Sequence, residues 1–333
     1  MKILHIAAHL GGGIGKAHAA INRAMVSGVE QTYVLLEEPV DRRHFDVIRR
    51  KSEVVVTTDL IAIQHAARDV DVVQFEFWGH PLFDDLMGRL SLRPSDRTVC
   101  WSHVSGLSPL AIPSYLLQCI DRFVATSLIT VPAVGDCVVI NSGFGFDDQP
   151  SRTSSGICYL GTVDFKKIHP KVFEVVDKLD TEVSFWGHVG PGIEDAVARM
   201  RYPERVRLRG HTMDPAAALS EASVFFYPLR SDHYGTAENA LVEAMSLGLV
   251  PVVMGNQAEL EIVRHGVTGL VAQTPAGLAA HLRFLASSPT ALEILSRNAT
   301  RETGKLKYSP ANSASALANV WQDLVAGRTR MYA

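Results

Sequence analysis

Only four cysteines occur in 333 residues, none of them in a CxxC pair, so no disulfide framework or zinc ribbon is written into this chain. Cys100 and Cys158 fall inside apolar, strand-like runs and read as buried free thiols. That suits a reducing compartment, and the expectation is a cytoplasmic protein. Long hydrophobic runs are missing too: no uninterrupted stretch approaches the roughly 18 residues a membrane span requires. The opening MKILHIAAHL is too short for a signal peptide and reads as a first buried strand. Neither sign of charge is in large surplus. With 32 Lys and Arg against 35 Asp and Glu, the chain has no field for gripping a polyanion, and nucleic acid is set aside as a partner.

What is present is alternation. Short β-branched runs alternate with amphipathic stretches of helical length, the mark of βαβ units and a parallel sheet. Strands are expected at 2–7, 32–36, 54–56, 70–75, 98–101 and 123–125, with helical stretches such as 18–25 and 60–68. At 140–156 the pattern lapses into INSGFGFDDQPSRTSSG, a linker by composition. It then restarts, with strands at 157–160, 182–186, 206–208, 224–227 and 249–253. The expected fold class is α/β: two Rossmann-like, doubly wound parallel-sheet domains at 1–148 and 156–312. A helix and tail at 313–333 can pack back on the first domain. Ligands in such sheets lie beyond the carboxyl ends of the strands, and two such domains make the cleft between them the natural site.

The loop HLGGGIGKAH at 9–18 follows the first strand and opens a helix, where glycines let backbone approach a ligand and a helix N-terminus favours an anion. It satisfies neither familiar glycine motif. No register supplies GxGxxG, Leu10 stands five before Gly15 where a phosphate loop has glycine, and Ala17 replaces the magnesium-holding hydroxyl. Gly12 and Gly13 are its ligand candidates, a structural tight turn being the other reading. His103 lies just past an apolar strand and serves either a pocket or a structural contact; Glu76 and His80 pose the same choice one strand away. Residues 42–51, RRHFDVIRRK, are either a basic face for the inner surface of a membrane or an acidic acceptor, or a solvated helix face.

The second half carries the denser signal. Strand 157–160 runs into Gly161, Thr162, Lys166 and Lys167, a loop with two ammonium groups. Strand 224–227 runs into PLRSDHYGTAENALVEAMSLGLVPVV, a polar loop, a helix, a glycine stop and another strand. Thr236 is the expected N-cap and Gly248 the terminator. Glu238 falls in the first turn, and Glu243 sits among Leu241, Val242, Ala244 and Met245. A carboxylate in so apolar a setting wants a partner, and an ionised one accepts from two adjacent sugar hydroxyls.

These stretches resemble the retaining family-four glycosyltransferases of the GT-B type. Residues 243–253, EAMSLGLVPVV, match that family's EAMxxGxPVV with one extra residue before the proline, and 259–271, ELEIVRHGVTGLV, are similar to its following segment. Gly161 and Lys167 match its GRxxxxKG loop, and 206–210 its VxFxG strand; the glycine loop and His103 stand in its expected places. Two departures stand out. Thr162 replaces an Arg, and the first Glu of a Glu-x7-Glu pair is lost, since counting back from Glu243 lands on Gly235. Asp232, Glu238 or a backbone amide are the substitutes the sequence offers.

The resemblance implies an N-terminal acceptor domain and a C-terminal nucleotide-sugar domain. It implies transfer from a nucleotide-diphosphate sugar, UDP favoured and GDP the other choice, with retention of configuration. No metal and no cofactor beyond that co-substrate is implied; Lys167, with Lys166 or Arg230, would stabilise the leaving diphosphate. His103 and Lys167 become the catalytic residues. The donor-binding set is Gly12, Gly13, Thr162, Lys166, Lys167, His211, Asp232, Tyr234, Gly235, Thr236, Glu238 and Glu243. The acceptor, whether glycan, lipid-linked, small molecule or protein, is not encoded legibly. Two other readings stay open: a nucleotide-sugar epimerase on this architecture, and a non-catalytic nucleotide-sugar-binding protein.

Overall fold

The structure, a computed structural model, describes every residue except 94, 108–110, 147–155, 234, 236, 237 and 328–333. The chain forms two compact units, residues 1–142 with Gly235 and 306–327, and residues 143–233 with 238–305. Most of the expected linker lies outside the described residues.

In the first unit β1 (Lys2–Ala7), β2 (Glu30–Leu35), β3 (Glu53–Val56), β4 (Val72–Phe77), β5 (Thr98–Ser102), β6 (Arg122–Ala125) and β7 (Val138–Val139) make a parallel sheet of order β3-β2-β1-β4-β5-β6-β7. The second unit repeats the plan with β8 (Gly156–Leu160), β9 (Val183–Trp186), β10 (Val206–Gly210), β11 (Ala222–Tyr227), β12 (Val250–Met254) and β13 (Leu270–Ala272), ordered β10-β9-β8-β11-β12-β13. Winding reverses between β1 and β4 and again between β8 and β11, so each unit has a switch point where loops part and a ligand can enter.

Burial on both faces explains the continuous apolar runs. Leu4, Ile6, Val34, Val73, Phe75, Phe77, Phe83 and Cys100 form one first-unit core, each large side chain contributing about 1.5–3 kcal/mol on burial. β4 corrects the expected strand 70–75, running two residues further to take in Glu76 and Phe77. A charged residue looked like the end of the strand; instead Gln74 and Glu76, on one face of the pleat, are both fully buried. β7 and β13 escaped the sequence reading because two or three residues show no periodicity.

The first helix corrects the sequence reading as well. It spans Gly12–Ala24, so Gly12 and Gly13 are its opening turn rather than a loop before it. Gly15 is required there: a Cβ at that position would lie 2.2 Å from the Leu10 carbonyl oxygen. The C-terminal helix, Pro310–Val325, belongs to the first unit and buries Ala314, Leu317, Ala318 and Trp321. Among the described residues no helix is long and apolar enough to cross a membrane.

Candidate functional site

Each unit gathers its polar residues at or just beyond the carboxyl ends of the strands flanking its switch point. In the first unit His103 follows β5, and its backbone N–H donates to the Phe77 carbonyl (2.8 Å). Its Nε2 lies 3.0 Å from Glu76 Oε2. Glu76 is the hub of a buried network that also contains His5, His18, Gln74, Gln31 and Trp321. Burial alone would push the Glu76 pKa up. The charge of His18 and hydrogen bonds from His103 and His5 outweigh it and hold the carboxyl well below its usual range. Burial pulls His5 and His103 down, against the raising influence of Glu76.

Among the described residues, two clusters in this unit have the composition of a metal site: His5, His18 and Glu76, and His9, Glu37 and His80. The second does not suit a cation. His9 Nδ1 accepts from the Gly11 N–H (3.1 Å) and His80 Nδ1 from the Leu82 N–H (3.3 Å). The proton of each neutral ring is therefore on Nε2, the atom that faces Glu37.

Part of the basic stretch 42–51 is neutralised. Arg42 pairs with Glu38, Arg43 with Asp41 at 2.6 Å, and the Lys51 ammonium donates to the Asn22 carbonyl (2.6 Å). The pairing of Arg42 and Arg43 fits a solvated helix face for that end of the segment.

In the second unit Gly161 and Thr162 follow β8, and the Tyr159 hydroxyl donates to the Thr162 carbonyl (2.8 Å). Asp164 shapes the turn, accepting from the Lys166 N–H through its side chain (2.7 Å) and from the Lys167 N–H through its carbonyl (2.8 Å). Lys166 is exposed. Lys167 is half-buried, with its ammonium 5.6 Å from the centre of the Tyr227 ring at the end of β11. Arg230 and Asp232 close on each other: Nε and Nη2 donate to the two carboxylate oxygens at 2.8 Å, and Nη1 donates to the Phe165 carbonyl. His211, past β10, is exposed and none of the polar contacts described here involves it.

The helix expected from Thr236 spans Asn239–Ser246 instead, with Glu238 in the N-cap position; Tyr234 and Thr236 lie outside the described residues, while Gly235 is half-buried. Glu238 is, among the described residues, the one non-glycine at positive φ (45°). Such backbone costs about 1–3 kcal/mol and persists where surroundings impose it, often at functional sites. Its carbonyl accepts from the Leu241 and Val242 N–H groups, which ties this conformation to the helix start. The Tyr227 hydroxyl donates to Glu238 Oε2, while Oε1 is buried without a hydrogen-bond partner, 3.8 Å from His233 Nδ1. His233 Nε2 lies 3.2 Å from the fully buried Glu259. Burial pulls His233 down, but its bond to Glu259 and the charges of Glu238 and Glu259 raise it overall, with Lys167 opposing. Glu243 is buried further along the same helix, which ends at Gly248 with φ +77°.

The structure thus brings Lys167, Glu238 and the unexpected pair His233 and Glu259 together, and places Arg230 and Asp232 in their own exposed ion pair. His233 and Glu259 were readable only as residues of matching motifs; no spacing rule joins positions 26 apart in sequence.

Two doubly wound parallel sheets, each with its own switch point, make this a GT-B fold. The family model of the glycosyl transferases group 1 matches residues 156–288, the bulk of the second unit. HepE of Anabaena, solved in complex with UDP, superposes with a TM-score of 0.79 at 15% identity, over 97% of this chain and 100% of that one. A glycosyltransferase from Rickettsia africae gives 0.75 at 12% identity, over 97% and 98%. Sucrose-phosphate synthase from Thermosynechococcus elongatus gives 0.73 at 14%, over 98% and 100%. No curated protein matches the chain.

Proposed function

We propose that the chain is a glycosyltransferase whose second unit binds a nucleotide-diphosphate sugar, UDP being the favoured nucleotide, and whose first unit presents an acceptor hydroxyl. One observation carries this reading. Within the segment matched by the glycosyl transferases group 1 family, the strand ends of the second unit gather a lysine with two buried carboxylates and a histidine. The UDP and UDP-glucose complexes of HepE, alike in fold, support the choice of nucleotide.

In this mechanism the anomeric carbon–phosphate oxygen bond breaks as the acceptor oxygen bonds to the same carbon. The hydroxyl proton passes to the departing phosphate oxygen, with retention of configuration. Negative charge on the diphosphate is met by Lys167, backed by Lys166, and no divalent cation takes part. Arg230, with its guanidinium engaged by Asp232 and Phe165, is dropped from that role, and Glu238 is preferred to Asp232 as the stand-in for the missing first Glu. Glu243 receives the ribose hydroxyls.

The test is calorimetry with UDP and 2′-deoxy-UDP. Wild type prefers the ribose form, and Glu243→Ala loses most of that preference, about ten- to hundredfold in affinity for a charge-assisted pair of bonds worth about 1.5–3 kcal/mol. A lower melting temperature with the ribose preference intact would assign Glu243 to packing. Absence of both UDP and GDP binding by wild type would remove the whole reading.

A further inference from the structure

The buried network of the first unit has a direction, because one of its members can only donate. Trp321 Nε1 on the C-terminal helix gives its hydrogen to Gln74 Oε1 (2.7 Å). An indole N–H accepts nothing, so the amide of Gln74 is fixed, and its nitrogen donates to Glu76 Oε1 (2.8 Å). A second chain runs in from the other side. Asn22 Nδ2 donates to Gln31 Oε1 (3.0 Å), which turns the Gln31 nitrogen toward His5 Nε2 (2.9 Å). His5 therefore holds a lone pair on Nε2 and its proton on Nδ1, which donates to Glu76 Oε1 (2.9 Å).

Oε1 of Glu76 is thereby occupied twice, and Oε2 is left for His103 and His18. His103 Nε2 is 3.0 Å away. His18 Nε2 is 3.2 Å away, and it makes no directed hydrogen bond. An ionised carboxylate is acceptor-only, so the proton in the His103 contact sits on Nε2. In the neutral ring that leaves a lone pair on Nδ1, at a position one residue past the end of β5.

We propose that Glu76 is a positioning residue that locks His103 in its neutral Nε2–H tautomer, so that Nδ1 accepts a hydrogen bond from a substrate hydroxyl. The inference deepens the transferase reading and rests on it for the identity of that hydroxyl as a sugar's. It carries a specificity: His103 offers nothing to an ether, a carbonyl or a phosphate oxygen, each of which can only accept. A fluorine in place of the hydroxyl should be rejected as a hydrogen would be, since neither donates. The lock extends through Gln74 to Trp321, 247 residues away in sequence from its partner.

The decisive measurement is made on the wild-type full chain, labelled with nitrogen-15 histidine, by long-range proton–nitrogen NMR between pH 6 and 8. His103 is assigned as the resonance lost in His103→Gln. The expected result is a bare Nδ1 and a protonated Nε2 across the range, and in Glu76→Gln a mixture of tautomers. With UDP-glucose as probe, Glu76→Gln should turn over (by transfer or hydrolysis) about 10–100-fold more slowly, the usual effect of losing a supporting partner, while KM for the donor changes little. Gln74→Glu, which presents the Trp321 side with an oxygen but the Glu76 side with no donor, should shift the tautomer in the same sense. A proton on Nδ1 or on both nitrogens in wild type overturns the lock whatever the activity. So does one zinc per chain by elemental analysis, since His5, His18 and Glu76 would then be ligands. If wild type neither binds nor turns over UDP-glucose but shows the expected tautomer, the lock stands and the transferase reading falls.

Discussion

A carboxylate removed from water needs donors, and Glu76 and Glu238 meet that need to different extents. Glu76 has three directed donors spread over both oxygens, with His18 also against Oε2, the state of a residue that holds others in place. Glu238 has the Tyr227 hydroxyl on one oxygen and no hydrogen-bond partner on the other, the state of a residue with capacity for a ligand. Burial and the Glu238 charge raise the Tyr227 pKa well above normal, so the phenol stays a donor throughout the working range. Lys167, over the Tyr227 ring, is the nearby cation, and its removal is informative in two ways. Lys167→Ala should weaken UDP about ten- to hundredfold by calorimetry, a charge-assisted bond being worth about 1.5–3 kcal/mol. Wild-type transfer should be indifferent to EDTA. Unchanged affinity in the variant would pass the role to Lys166, and activity lost to EDTA and restored by manganese would mean that a metal meets the diphosphate.

Among elements, the helix Gly12–Ala24 is set by the contact at its fourth residue. Gly15→Ala drives a methyl to 2.2 Å from backbone that cannot rotate away, so the helix or the Leu10 turn must move. A loss of about 1–3 kcal/mol, seen as a lower melting temperature of the first unit, is expected. Gly88 lies in the helix Pro81–Arg89 with nothing within 4 Å of an added Cβ, and Gly88→Ala should be neutral or stabilising by up to about 1 kcal/mol. The same substitution with opposite signs, read by thermal denaturation, tests the packing; equal effects would refute it. What the sequence made legible follows from this contrast. Strands such as β1 and the helix Leu60–Arg68 were found at their bounds because hydrophobic period encodes them locally. Glu76 was placed in a loop, and His5, His18 and Trp321 were passed over, because their donors and acceptors come from β1, two helices and β4. Lys167 and Glu243 stood out in the sequence by a strand-end loop and an apolar setting, and the resemblance supplied their proposed roles; the helix start at Glu238 was not legible, since a left-handed glutamate has no propensity signal.

Across the whole molecule the two units should answer pH in opposite senses. His5 and His103 have lowered folded-state values, so the unfolded chain takes up protons first as the medium is acidified. First-unit stability is then full above about pH 6.5 and lost as pH falls through the folded values. His233 is raised, so its contribution is full below about pH 6.5 and lost as pH rises through the folded value. Glu259, raised by burial, acts in the same sense; half-buried His169, lowered by burial, offsets part of it. Between pH 5.5 and 8, amide exchange should show protection rising in β1 and β4 and falling in β8 and β11, by at most about 1.4 kcal/mol per pH unit for each proton. Parallel changes in both sheets would contradict these assignments. The C-terminal helix has a further consequence, during synthesis on the ribosome. The second unit's strands are all translated by residue 272, whereas Gln74 waits for the indole of Trp321. Until then the Gln74 amide oxygen lacks its indole donor, so the half of the molecule synthesised first is the half completed last. A messenger truncated before codon 310 would yield a mature second unit attached to a first unit still lacking its final helix.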